Sequence, residues 1–257
     1  FIHSERTFLN MRMRKKKNSA ARLCEVSAYL LNIPAEPYRE PQAAFGDFDE
    51  AFLEIGAGKG GFACEMARRN PRAAYFAMER VADCVLLAAE LAARRSAERP
   101  DNLRFMNGRA EELALWFAPG TVDRIFLNFS DPWQKKGYAK RRLTYRDYLS
   151  LYFTLLCDGG SLTFKTDNLP LFEFTLSECA QVGLVPDIVT YDLHSSPYAE
   201  GNVMTEYERN FTEQGMKINM LRVTKPAGYV PPVPEDIFGA KRRQSEIEKK
   251  RETAEKD

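Results

Sequence analysis

The first regular pattern along the chain is a short apolar spacing. Leu23, Val26 and Leu30 within "AARLCEVSAYLL" predict a helix that stops before Pro34. Residues 34–49 are punctuated by proline and glycine and read as a connection. From there, compact apolar runs alternate with segments of helical spacing. "AFLEIGAG" predicts a strand entering a glycine turn, "GGFACEMARRN" a helix ended at Asn70-Pro71, "AAYFAME" a strand and "VADCVLLAAELAARRSA" a long helix. "NLRFMNG" and "VDRIFLNFS" predict two more strands around the short helix "AEELALWF". The helix "YRDYLSLYFTLLCDGG", the strand "SLTFKTDN" and the helix "PLFEFTLSECAQVG" follow. "LVPDIVTYDLH" and "MKINMLRVTK" predict two last strands.

This alternation implies an α/β, Rossmann-like fold: a mostly parallel seven-stranded sheet with helices on both faces and an antiparallel C-terminal end. No internal repeat interrupts it. Residues 1–22 read as a basic N-terminal arm, 23–234 as one domain, and 235–257 as a charged tail.

Composition narrows the class. A chain of 257 residues buries a full core without staples. Cys24, Cys64, Cys84, Cys157 and Cys179 are scattered, with no CxxC and only two histidines. That argues against a zinc site and for reduced thiols, as in a cytoplasmic protein. No apolar run reaches the roughly 20 residues that span a membrane, and no signal-peptide pattern opens the sequence. Neither a metal nor a membrane partner is expected. Net charge is +1, yet the charge is uneven. Arg12, Arg14, Lys15, Lys16 and Lys17 form one basic run, and Lys135 to Arg146 another. A single charge run is ordinarily a solvated face. Two in a near-neutral chain point to a polyanion partner.

The glycine turn "EIGAGKGG" carries GxGxxG at Gly56, Gly58 and Gly61, after a strand and before a helix. Glycines there let the backbone approach a ligand. A P-loop is excluded, because Lys59 lacks the upstream glycine and the following Ser or Thr. A dinucleotide and S-adenosyl-L-methionine remain. Glu79, about twenty residues on, would hold ribose hydroxyls in either case. Glu54 separates them: its carboxylate would repel a pyrophosphate but suits an ammonium and a sulfonium. The alternative for Glu54 is a strand-edge residue in water.

The fourth strand of the alternating region ends in "NFSDPWQKKGYAKRR", Asn128 to Arg142. Ligands of open α/β sheets sit outside the carboxyl ends of strands at the switch point, which the first and fourth of these strands flank. Asp131 is therefore expected beside the methyl donor, although Asp-Pro also simply makes turns. Trp133 either stacks on a base or packs under the loop. Lys135, Lys136, Lys140, Arg141 and Arg142 would cluster where phosphates land.

Five stretches occur in family order: "RMRKKK", "LEIGAGKGGF", "NFSDPWQKKGYAKRRLT", "FKTDN" and "MTEYERNF". Through them, from about residue 11 to 224, the chain resembles bacterial tRNA (guanine-N7)-methyltransferases, a class I S-adenosylmethionine-dependent family. The resemblance implies methylation of N7 of the variable-loop guanine 46 of tRNA. It implies Glu54, Gly56, Gly58, Glu79, Arg109 and Asp131 at the cofactor, with Asp131 catalytic. Lys135, Asp167, Thr205, Glu206, Tyr207 and Glu208 match substrate-binding positions. Gly137, Tyr138, Ala139, Lys140, Arg141 and Arg142 match the RNA-contacting loop. Asp167 and Glu208 are expected to accept hydrogen bonds from guanine N1 and N2. The chain departs from the pattern at Gln134, where proline is usual, at Arg109, where an aspartate is usual, and in "KKKNSA", which replaces Lys-Pro-Trp.

Blander roles are open for several of these residues. Asp167 and Asn168 would also cap the next helix, and Thr205 with Glu208 spells a capping box. His194 reads as a loop or packing residue. Rival functions are a methyltransferase of another substrate, a non-catalytic RNA-binding module, and a dinucleotide oxidoreductase, which Glu54 disfavours. Monomer and homodimer both fit the sequence.

Overall fold

Apolar strands that bury both faces need helices above and below. The computed structural model, which describes residues 19–94 and 101–232, builds that arrangement. The basic run at Arg12–Lys17 and the tail from 235 lie outside the described residues.

The described residues begin with helix α1 (Ser19–Glu25), a 3-10 turn and the two-residue strand β1 (Leu30–Leu31). Then come β2 (Glu50–Ile55), α2 (Gly61–Arg69), β3 (Ala73–Glu79), α3 (Ala82–Arg94), β4 (Leu103–Asn107) and β5 (Val122–Asn128). The second half holds α4 (Arg146–Leu155), β6 (Leu156–Thr166), α5 (Leu169–Gln181), β7 (Ile188–Thr190), α6 (Glu206–Glu213) and β8 (Asn219–Thr224).

Among the described residues the strands form one sheet, ordered β1-β4-β3-β2-β5-β6-β8-β7. Pairings are parallel from β1 to β6, and β8 runs antiparallel to both β6 and β7. The chain winds outward from β2 in both directions, so the switch point lies between β2 and β5.

Alternate strand residues divide the core. Leu53, Ile55, Phe76, Met78 and Leu127 face α4 and α5. Phe52, Tyr75, Ala77, Phe105 and Phe126 face α2 and α3. Each fully buried Leu, Ile, Met or Phe among them contributes about 2 kcal/mol of transfer free energy.

The structure corrects the expected elements at four places. The sheet has eight strands rather than seven, because Leu30 and Leu31 cover the free edge of β4 at Phe105 and Met106. The helix predicted through that stretch ends at Glu25. Within it Arg22, expected in the basic arm, makes a two-pronged pair with Glu90 of α3 at 2.7 and 2.8 Å. The helix predicted to Gly160 ends at Leu155, where β6 begins. A Cβ at Gly160 would lie 2.9 Å from the Asp123 carbonyl, so this glycine allows β6 to pass close to β5. The strand predicted over 184–194 shrinks to Ile188–Thr190: Pro186 offers no N–H to a ladder at one end, and Asp192 caps a 3-10 turn over Leu193–Ser195 at the other.

Candidate active site

The carboxyl ends of β2, β3, β4 and β5 converge on a cavity of about 610 Å³. Its wall is built from Ile55 and Gly56, then Met78 to Val81, Gly108 to Glu111, and Asn128 to Asp131. Trp133, Arg141, Leu143 and Tyr148 complete it. The cavity thus lies at the switch point, where this topology leaves strand ends uncovered.

The glycine turn shapes one side. Gly56 and Ala57 donate backbone N–H groups to the Met78 carbonyl at 2.8 and 3.0 Å, folding the end of β2 over β3. Gly58 adopts φ +54° with open space where a Cβ would stand. The close-packing glycine is Gly60 rather than the fingerprint's Gly61. A Cβ on Gly60 would lie 2.7 Å from the Ala88 Cβ, while Gly61 has open space and an ordinary φ. Glu79 accepts from Gly58 N at 3.1 Å and from Val81 N at 2.9 Å. Each of its oxygens keeps a further lone pair for a ligand.

Glu54 stands one layer behind the wall. It is 2% exposed and does not line the cavity. Asn128 fronts it, donating from Nδ2 to Glu54 Oε1 at 3.2 Å. Burial raises the Glu54 carboxyl to about 7, against the lowering effect of Asn128 and of Lys165. Asn128 Oδ1 and Ser130 Oγ are buried without a protein hydrogen-bond partner and line the cavity, while Glu54 has the buried Tyr75 hydroxyl within reach. Buried acceptors without donors are rare in native folds. This cluster suits a ligand with N–H donors and positive charge.

Asp131 projects from the turn after β5. Its side chain is 65% exposed, and Arg80 Nη2 lies 3.4 Å from its Oδ2. The turn is strained: Phe129 and Trp133 have φ of +52° and +41°. Backbone in this region costs a non-glycine residue about 1–2 kcal/mol, so surrounding contacts must hold it. The Phe129 N–H donates to the Lys165 carbonyl at 2.9 Å. Arg142 donates to the Pro132 and Trp133 carbonyls at 3.0 and 3.2 Å and stacks over Phe174 at 4.2 Å. Arg142, expected on RNA, is therefore committed to the loop.

The other basic residues remain open. Lys136–Arg141 winds into 3-10 turns, with Lys135, Lys136, Gly137, Tyr138 and Lys140 exposed and Ala139 half-buried. The Arg141 guanidinium sits over Tyr138 at 4.7 Å and Trp133 at 5.1 Å, and Trp133 meets Tyr138 edge-on at 5.9 Å. An aromatic-cation cluster thus borders the cavity.

The substrate-matching residues of α6 divide. Tyr207 is exposed, packed against Phe129 at 5.1 Å and stacked on Phe211 at 4.3 Å. Burial raises its hydroxyl pKa, helped by the charges of Asp167 and Asp131. Tyr207 therefore stands between the ends of β5 and β6. Asp167 is half-buried there, and burial raises its pKa. Glu206 reaches Lys59 of the glycine turn at 3.8 Å. Thr205 caps α6, accepting from Glu208 N at 2.8 Å.

Glu208 contradicts its expected role on guanine. It is fully buried, and its oxygens meet Lys165 Nζ at 2.6 Å and Asn202 Nδ2 at 2.7 Å. His194 Nε2 lies 3.1 Å away without closing an aligned hydrogen bond. Removing one member of such a buried pair costs about 3–5 kcal/mol. Arg109 lines the cavity; its N–H donates to Glu112 Oε2 at 2.9 Å, so its backbone amide is engaged.

The sequence places Asn128 and Ser130 at the carboxyl end of the fourth strand without assigning them a role, and it does not single out Arg80 or Lys165. A lysine inside the apolar strand "SLTFKTDN" was the available signal for Lys165, since a buried lysine needs an anion. Arg80 carried no such signal.

Residues 49–221, more than half of the chain, match the family described as "Putative methyltransferase". The chain belongs to this methyltransferase family. The family's fold extends to solved structures. The 16S rRNA methyltransferase KamB superposes with a TM-score of 0.54 at 16% identity, over 70% of this chain and 89% of that chain. An antibiotic-related methyltransferase gives 0.51 at 20% identity over 70% and 89%. The 16S rRNA (adenine(1408)-N(1))-methyltransferase of Catenulisporales acidiphilia, solved with its cosubstrate SAM, gives 0.50 at 19% over 75% and 91%. At these identities the likeness is one of fold. Family and fold support S-adenosyl-L-methionine as the cofactor. No helix among the described residues is long and apolar enough to cross a membrane. Nor do three His, Cys, Asp or Glu side chains gather there as a metal site.

Proposed function

We propose that this methyltransferase acts on guanine N7 of tRNA, at the variable-loop guanine. The observation that carries the reading is the joining of two features at one cavity: buried acceptors behind the switch point and an exposed carboxylate beside a basic aromatic loop. Asn128 and Ser130 would receive the cationic amino-acid end of S-adenosyl-L-methionine, with the Glu54 charge acting from behind Asn128. Glu79 would hold the ribose hydroxyls, and Gly56 and Gly58 leave room for the backbone to approach. Bound there, the cofactor would supply an electrophilic sulfonium methyl group; the guanine N7 lone pair would form the new N–C bond as the S–C bond breaks and its electrons return to sulfur, leaving a neutral thioether.

Guanine N7 carries no proton, so no residue need act as a general base. The protein's part is placement and charge. Positioning alone is worth about 7–11 kcal/mol of barrier. Asp131 stabilises the positive charge that develops on the ring. Tyr207 offers a flat face beside it, and Asp167 accepts from guanine N1 or N2, which adenine lacks in that pattern. Lys135, Lys136, Lys140 and Arg141 meet phosphates, with Trp133 and Tyr138 open to base stacking. The test is nucleoside analysis of tRNA incubated with protein and cofactor. The expected product is 7-methylguanosine; methylation at any other atom or only on another substrate would refute the assignment.

A further inference from the structure

We propose that Arg80 is a positioning residue for product release: on the reading above, in which Asp131 faces the guanine ring, Arg80 competes with the methylated ring for that carboxylate and so loosens the product.

Arg80 leaves the sheet at a fixed point. It follows Glu79, the last residue of β3. The Glu79 carbonyl accepts the Gly108 N–H at 3.2 Å and Asn107 Nδ2 at 3.0 Å, and its Oε1 accepts the Val81 N–H at 2.9 Å. The backbone on either side of Arg80 is therefore tied down, and Arg80 lines the cavity. Its guanidinium then crosses the mouth to the turn after β5, where Nη2 lies 3.4 Å from Asp131 Oδ2. Strands β3 and β5 are not neighbours; β2 lies between them. The contact thus spans the carboxyl end of β2, over which the ligand is placed. Among the described residues Arg80 alone pairs with Asp131. Arg141, on the same wall, lies instead over Tyr138 and Trp133.

The chemistry gives this pair a purpose. Before transfer the guanine ring is neutral and the sulfonium carries the positive charge. As the N7–C bond forms and the S–C electrons return to sulfur, that charge passes to the ring. The carboxylate that favours the transition state then faces a full cation and retains it. A guanidinium already beside Asp131 opposes that retention twice, by sharing the carboxylate and by repelling the ring. A neutral substrate ring meets neither effect. Arg80 therefore weakens the hold on methylated tRNA more than the hold on unmodified tRNA. The pair is exposed on both sides, at 61% and 65%, so its strength is modest, on the order of a two- to fivefold effect. That is enough to loosen the product and too little to withhold Asp131 from the transition state.

The test is filter binding of two tRNAs that differ only in 7-methylation of the variable-loop guanine, with S-adenosyl-L-homocysteine present. Mildly acidic buffer keeps the N1 proton, and so the positive charge, on the methylated ring. Arg80→Gln should shift the ratio of affinities toward the methylated tRNA by about two- to fivefold, with no fall in the single-turnover rate. Arg80→Lys keeps the charge and should keep the original ratio. On an Asp131→Asn background, Arg80→Gln should leave the ratio where it stands, which closes a double-mutant cycle. A contact to phosphate or a purely structural role would change both affinities alike. A ratio that is unchanged or lower in Arg80→Gln, or that shifts equally on the Asp131→Asn background, would overturn the role of Arg80. Absence of methyl at guanine N7 in tRNA treated with the unaltered protein would overturn the substrate reading itself.

Discussion

Arg80 Nη2 lies 3.4 Å from Asp131 Oδ2 at the mouth of the cavity, and both side chains are mostly exposed. An exposed pair of this kind contributes about 0–1 kcal/mol to stability, so its interest is functional. Asp131 can exchange Arg80 for a cationic ring at little cost. Asp131→Ala should reduce methyl transfer by about a hundredfold or more, the scale of losing one electrostatic stabiliser, while tRNA affinity stays within a few-fold. Single-turnover rates and filter binding on the same transcripts separate the two. Equal losses would remove Asp131 from the chemistry.

The two adjacent arginines of the basic loop should behave differently. Arg141 is exposed over two rings, whereas Arg142 clasps the carbonyls of the strained turn. Arg141→Ala and Lys140→Ala should each weaken tRNA binding and reduce the salt slope by about 1. Arg142→Ala should instead lower stability by about 2 kcal/mol through lost charged hydrogen bonds. Salt titrations and thermal melts, read together, would expose the opposite assignment.

Glu54 gives the site a pH dependence whose sign follows from its burial. Its carboxyl is raised from 4.5 to about 7. Between those values the folded protein holds a proton that the unfolded chain has released. Glu54 therefore makes stability fall as pH rises through that window. A cationic ligand favours the ionised form, so cofactor affinity should run the other way, rising about tenfold from pH 6 to pH 8. Glu54→Gln should flatten that rise and gain stability at pH 8. A pH-independent affinity in the unaltered protein would sever Glu54 from the cofactor.

The two glycines of the turn should separate when substituted, Gly60 acting on folding and Gly58 on binding. Gly60→Ala drives a Cβ to 2.7 Å from Ala88 at φ +79° and should cost about 3 kcal/mol. Gly58→Ala meets open space at φ +54° and should cost about 1 kcal/mol, with its larger effect on cofactor affinity. Chemical denaturation of the two variants gives the comparison. A larger stability loss at Gly58 would reverse it.

Local signals were readable where one residue pattern decides one structure. The glycine turn, the strand ending at Asn128 and the switch point all follow from apolar runs, turn residues and the alternation of elements. What escaped depends on which neighbour arrives. The Thr205–Glu208 spacing spelled a capping box and forms one, but only the docking of α6 on β6 determines that Glu208 faces Lys165 rather than solvent. Arg141 and Arg142 look alike in a basic run. Their difference comes from the curl of the turn, which points the Pro132 and Trp133 carbonyls at Arg142 alone. Leu30 and Leu31 continue a helical spacing, and it is the open edge of β4 that draws them into the sheet.

The most direct test of the central claim is transfer of radiolabelled methyl from S-adenosyl-L-methionine to unmodified tRNA transcripts, with and without the variable-loop guanine. The account predicts label that depends on that guanine. Label that persists without it, or no label in the presence of measurable cofactor binding, would contradict the assignment of substrate and site.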